Sequence, residues 1–391
     1  MTTLQASPKP RRANARVSKL AAVLALGTLG LAACGSDPVP AGNAAENDSG
    51  SASASAPAGD LSCPEGSLNA EGSSAQGNAI SEVIAAYNAE CGGGATIEYN
   101  PTGSGAGIKS FYNGLVDFAG SDSALKTKEK DGVIESAKAE ERCGGNPAWN
   151  LPMVVGPIAF AYNVEGVDNL VVSAEVLAEI FNGTITTWND PKIAALNEGA
   201  ELPDAKITVF FRSDESGTTE NATKYLSEAG NGAWKDEPAK AWTGAGEGKN
   251  KSSGVAEGVT STANSISYME WSYAKDNDLQ IAQLVSGSGP VELTGEAVGK
   301  ALAEATPTGK GNDLGLELKY ADTAEGAYPA LLVTYEIVCS KGLEADKTAI
   351  LKDFLGYFAS EKTQQGLEEL GYAPVPAELL TKVKSAVDAI S

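Results

Sequence analysis

Lys206-Ile207-Thr208-Val209-Phe210-Phe211 runs directly into Arg212-Ser213-Asp214-Glu215-Ser216-Gly217-Thr218-Thr219, after which apolar residues fall at Ala222, Tyr225, Leu226 and Ala229. The first run reads as a strand, and the last four positions have the i, i+3, i+4, i+7 spacing of an amphipathic helix. Between them lies a helix start built of hydroxyls and a glycine. The same start recurs at Gly103-Ser104-Gly105-Ala106-Gly107, between an Ala95–Tyr99 strand and a face of Ile108, Phe111, Tyr112 and Leu115. It recurs again at Gly72-Ser73-Ser74-Ala75, before Ile80, Val83, Ile84 and Tyr87. Further strands are expected at Met153–Tyr162 and Ala330–Cys339. A helix is expected over Ser173–Phe181, with Ser173 as N-cap and Asn182-Gly183 as its stop. This alternation places the chain in the α/β class. No solenoid repeat is visible. Residues 244–258, rich in Gly, Ser and Lys, are expected to form an exposed loop.

Small residues at a helix start leave its first amides open and add O–H donors at the positive end of the helix dipole, which suits an oxyanion. One such start is an ordinary cap, but three in one chain suggest convergence on one small anion. Arg212, four residues before Ser216, can offer a forked contact to a tetrahedral oxyanion, with Asp214 close enough to hold the fork. Asp122, in Asp117-Phe118-Ala119-Gly120-Ser121-Asp122, would repel an anion unless that anion still carries a proton to donate. Phosphate near neutral pH carries one and sulfate does not, so an ionised Asp122 would select between them.

The chain has 391 residues, no histidine, and 51 acidic against 29 basic residues. The missing imidazole excludes Ser–His and Cys–His catalysis and histidine–metal sites. The acidity argues against nucleic acid as a partner. No metal or cofactor motif is present; Gly246–Gly254 has a superficial likeness to a P-loop, but Asn250 stands where Ser or Thr is required. At the N-terminus, Lys9, Arg11, Arg12, Arg16 and Lys19 precede the apolar run Leu20–Ala33, the order of a secretory signal, with an uncleaved anchor helix as the alternative. General secretion is expected over twin-arginine export. Leu31-Ala32-Ala33-Cys34 resembles a bacterial lipobox, which implies that Cys34 becomes the lipidated first residue of an extracytoplasmic, membrane-anchored protein. Loss of residues 1–33 takes the formal charge from −22 to −27. Residues 34–60, without aromatic or basic side chains, read as a flexible tether. Four cysteines remain, Cys63, Cys91, Cys143 and Cys339, an even number that favours two disulfides in an exported chain. Three pairings are open, with Cys63–Cys91 and Cys143–Cys339 preferred.

From about Leu68 to Ser391 the chain resembles the phosphate-binding lipoproteins that serve ABC importers, in the form found in high-GC Gram-positive bacteria. The motifs that carry the likeness are Gly103–Gly107, Asp117–Asp122 and Arg212–Thr218, supported by Asn182–Pro191 and Ser267–Lys275. The resemblance implies a two-lobed, hinge-linked periplasmic-binding-protein fold of type II, with residues 61–153 and 328–391 in one lobe and 154–327 in the other. It also implies a monomer that passes inorganic phosphate to membrane permease subunits. Carried over by position, Ser74, Ala75, Ser104, Ser216, Gly217 and Thr218 supply donors, Arg212 the guanidinium steadied by Asp214, and Asp122 the proton acceptor. Ala75 departs from the bulkier aromatic of some relatives. Residues 246–254 follow the family's glycine-rich loop only loosely, so no ligand is assigned there. A binding protein for another oxyanion such as sulfate and a secreted phosphatase are the rival readings.

Overall fold

The computed structural model describes residues 61–130, 132–287 and 289–391. The signal segment, Cys34 and the tether lie outside the described residues. The four expected strands form at Ala95–Asn100, Ala148–Asn163, Thr208–Arg212 and Leu331–Cys339. The expected helix runs over Ala174–Phe181, its first turn capped by Ser173, whose Oγ accepts from the Val176 amide at 3.2 Å.

The main sheet is ordered 95–100, 66–72, 118–121, 331–339, 148–163, 265–270, 208–212, 247–249 among the described residues. Strands 66–72, 95–100 and 118–121 are mutually parallel, and so are 208–212, 247–249 and 265–270. Each group is held to the middle of the sheet by antiparallel pairing. The long strand Ala148–Asn163 joins them. Its first part, Ala148–Pro157, pairs with Leu331–Cys339, and its second, Ile158–Asn163, with Ser265–Glu270. Because the two parallel groups run in opposite senses, their carboxyl ends face each other across residues 152–158. Ser121 lies level with Pro152 through Tyr335, while Glu270 ends at Ile158. Ligands of open α/β sheets bind outside the carboxyl ends of parallel strands, so the topology brings two such ends together.

The two central strands are apolar because both their faces are covered. Every residue of Leu331–Cys339 is buried, as is Asn150–Tyr162 of the long strand. The register slips at Thr334/Tyr335, next to Pro152, where a proline without an amide is tolerated beside a bulge.

Both preferred disulfides are formed, Cys63–Cys91 and Cys143–Cys339, the second closing 196 residues of chain. Replacing Cys143 and Cys339 by Ser is expected to lower stability by about 2–5 kcal/mol, since so long a loop is entropically costly to close. Denaturant unfolding with and without reductant measures it, and a midpoint unchanged by reduction would contradict it.

One expectation is overturned. Residues 244–258 are not an exposed loop: Glu247–Lys249 is an edge strand, and Lys251–Ser261 is a helix that buries Ser252, Val255, Ala256, Gly258 and Val259. The small residues let this helix lie close against the sheet, where Gly258 meets the Phe210 ring.

Candidate functional site

The three expected helix starts meet, and a fourth joins them. The helices are Gly77–Glu90, Ser104–Tyr112 and Gly217–Ala229, with Lys251–Ser261 as the addition. Ser74 Oγ lies 3.0 Å from Ser252 Oγ and accepts from the Ser252 amide at 3.2 Å. The Gly105 amide donates to Glu215 O at 3.0 Å. Gly217 sits so close to the second helix that a Cβ there would lie 2.5 Å from both Ser104 Oγ and Asp122 Cβ. Gly103 has φ +103°, and a Cβ on it would lie 2.6 Å from Asp214 Oδ2. The glycines at these starts are therefore places where one segment touches another.

Arg212 ends its strand and is 2% exposed. Its Nε and Nη2 donate to Asp214 Oδ1 and Oδ2 at 2.8 and 2.5 Å, which fixes the guanidinium plane. Nη1 is directed to Ser252 Oγ at 3.1 Å and Thr218 Oγ1 at 3.5 Å. Burial alone would raise the Asp214 carboxyl, but the Arg212 hydrogen bonds and charge, with the Lys251 amide, outweigh it and hold the pKa below the usual range.

Asp122 is 3% exposed, just past the Phe118–Ser121 strand. Oδ1 accepts from Ser73 Oγ at 2.5 Å and Thr334 Oγ1 at 2.7 Å, and Oδ2 from Ser104 Oγ at 3.1 Å. Burial raises its pKa, opposed by these three hydroxyls and the Arg212 charge. The ion is thus held by neutral donors, with no cation bonded to it among the described residues.

The other sequence-derived residues divide by what they already bond. Gly217 and Thr218 open their helix, where amides have no intrahelical acceptor. Ser216 is committed to the fold: its amide donates to Lys240 O and its Oγ accepts from the Thr219 amide, both within 3.1 Å. Ala75 is fully buried, and Tyr372 Oη donates to its carbonyl, so an aromatic contact reaches position 75 from elsewhere. Tyr273 Oη likewise donates to Ser74 O at 2.8 Å.

Sequence reasoning missed Ser73, Ser252 and Thr334. Ser252 had a readable signal: Ser252-Ser253-Gly254 precedes Val255, Ala256 and Val259, the same hydroxyl–glycine start. Thr334 is a polar residue in an apolar strand. Its partner is separated from it by 212 residues, so nothing local pointed to Asp122.

Comparisons with known proteins show the family of the chain. A family model described as the PBP superfamily domain matches residues 46–362. The chain is 42% identical over 383 residues to phosphate-binding protein PstS2 of Mycobacterium bovis, covering 96% of this chain and 99% of that one. It is 43% identical over 374 residues to phosphate-binding protein PstS 3 of Mycobacterium tuberculosis, covering 94% and 97%. In fold it is similar to a phosphate-binding protein from Stenotrophomonas maltophilia, with a TM-score of 0.65 at 18% identity over 82% of this chain and 93% of the other. A high-affinity periplasmic phosphate-binding protein solved with phosphate gives 0.66 at 22% identity over the same shares. With the family model matching residues 46–362 and 42–43% identity to these relatives over nearly the whole chain, the protein belongs to the PstS family of phosphate-binding proteins within the PBP superfamily.

Proposed function

We propose that the protein binds inorganic phosphate outside the cytoplasmic membrane and hands it to the permease subunits of an ABC importer, without covalent chemistry. The observation that carries this reading is the buried Arg212 fork, locked by Asp214 with Nη1 turned toward Ser252 and Thr218, beside an Asp122 whose partners are all neutral hydroxyls. Donors come from Ser74, Ala75, Ser104, Gly217, Thr218 and Ser252, with Ser216 shaping the turn. Asp122 accepts the proton of the ligand. Residues 61–153 and 328–391 form one lobe and 154–327 the other. The change of pairing partner along the long strand supports a hinge there, and closure excludes water around the ion. Cys34 carries the lipid that holds the monomer at the membrane, with residues 34–60 as its tether. No helix among the described residues is long and apolar enough to cross a membrane.

Native mass spectrometry of protein purified without added phosphate tests the ligand: a retained mass of one phosphate is expected, and a bare chain that takes up none on titration defeats the reading. Asp122→Asn tests selectivity. The amide presents a donor where the carboxylate accepted, so discrimination between phosphate and sulfate is expected to fall by about tenfold or more. Competition titration at neutral pH reads this directly, and unchanged discrimination assigns selectivity elsewhere.

A further inference from the structure

Behind Asp122 lies a buried acid that phosphate binding as described leaves without a task. Glu336 is fully buried on the Leu331–Cys339 strand, and neither of its carboxyl oxygens has a hydrogen-bond partner among the described residues. It stands directly opposite Gly120 in an antiparallel pair, so the two positions share a face of the sheet. A Cβ on Gly120 would overlap Gln76 Nε2 and Tyr99 Oη, so these side chains fill the space a larger residue would take beside Glu336. Tyr99 Oη donates to Ser73 O at 2.8 Å and receives Gln76 Nε2 at 3.0 Å, which fixes the Gln76 amide and leaves its Oε1 also without a partner. Three buried acceptor oxygens on these two neighbouring side chains are thus without a partner among the described residues. Acceptors cannot satisfy one another unless one carries a proton.

We propose that Glu336 is held as a neutral carboxylic acid that donates to Gln76 Oε1, and that this proton is a condition for binding dianionic phosphate beside Asp122. The second half rests on the phosphate-binding reading. Gln76 is the N-cap residue of the Gly77–Glu90 helix, and its neighbours Ser73 and Ser74 belong to the site, so the bridge positions that turn. Burial pushes the Glu336 pKa up to about 8, opposed by the polar Gln76 side chain beside it and helped by the Asp122 charge. The groups facing it are Gln76, Tyr99 and Asp122, while the long strand opposes it with Leu151. On the other face of the strand, Val333 and Tyr335 line a cavity with Lys126, Glu220, Lys224 and Glu228, and Asp122 also borders it. With Asp122 charged and Arg212 already matched by Asp214, an ionised Glu336 would add an uncompensated charge near the incoming dianion.

The test compares wild type with Glu336→Gln, which keeps a donor and cannot ionise. Glu336→Met, which has no donor, serves as the second variant. A group whose folded pKa is raised contributes stability that is present below its unfolded pKa and is lost as pH rises through the folded value. Without ligand, the unfolding constant of the wild type is therefore expected to rise relative to Glu336→Gln by up to about tenfold per pH unit between pH 5 and 8, then run parallel. Phosphate affinity is expected to fall about tenfold per pH unit above pH 8 in the wild type and stay flat in Glu336→Gln. At pH 7, Glu336→Gln is expected to bind like the wild type, and Glu336→Met about tenfold more weakly. Parallel ligand-free profiles would overturn the proton. A ligand-free difference with a flat wild-type binding profile would overturn its link to phosphate. If neither protein bound phosphate at any pH, the functional reading and the link would fall together, while the ligand-free comparison would still decide the proton. Should Glu336→Gln fail to fold, Glu336→Met supplies the same non-ionising comparison.

Discussion

Arg212→Ala is expected to lower phosphate affinity by about two to three orders of magnitude, the usual scale for removing one member of a buried, hydrogen-bonded charge pair. The guanidinium is the strongest donor in the site and is immobilised in advance, with two of its nitrogens bonded to Asp214 and the third turned to the hydroxyls of Ser252 and Thr218. Stability should fall as well, by about 3–5 kcal/mol, because Asp214 is left part-buried without its partner. The double variant Arg212→Ala/Asp214→Ala separates the effects: it should regain part of the stability and none of the affinity. Calorimetric titration in phosphate-free buffer and thermal unfolding of the same samples measure both. Affinity within threefold of wild type would remove Arg212 from the site.

Gly217→Ala tests the opposite property, close approach without charge. An added Cβ would lie 2.5 Å from Asp122 Cβ and Ser104 Oγ and 2.7 Å from Asp122 Oδ2, where ordinary contact begins near 3.4 Å. Asp122 Cβ is one bond from its backbone, so the overlap cannot be relieved by a rotamer change. An affinity loss of about ten- to a hundredfold is expected, the scale of a single overpacked methyl. Ligand-free stability should hold or rise slightly, since Ala is the better helix former and the proposed hinge would let the protein remain open. Weak binding with retained stability would assign the contact to closure. Unchanged binding would contradict that role, and collapse of the ligand-free protein would make the contact part of the fold.

The local elements were legible because they obey short-range rules. Ser173 caps its helix as its sequence position requires, and the apolar run ending at Cys339 is the buried strand its composition describes. The Arg212–Asp214 pair was readable for the same reason, being two residues apart. Residues 244–258 were misread because flexible composition was taken for exposure. In a crowded sheet edge, small residues serve equally well to let a helix pack closely, and Ser252 entered the site by that route.

By itself the sequence determined the class of chemistry: an acidic chain without histidine, with hydroxyl–glycine helix starts, one arginine fork and an aspartate suited to a protonated oxyanion. Only the tertiary structure decided which of these meet. The opposed carboxyl ends along Ala148–Asn163, the Thr334 bond to Asp122 and the orphaned Glu336 carboxyl all depend on strand register. Register is set by the packing of the whole sheet, and residues two hundred positions apart carry no local mark of becoming neighbours.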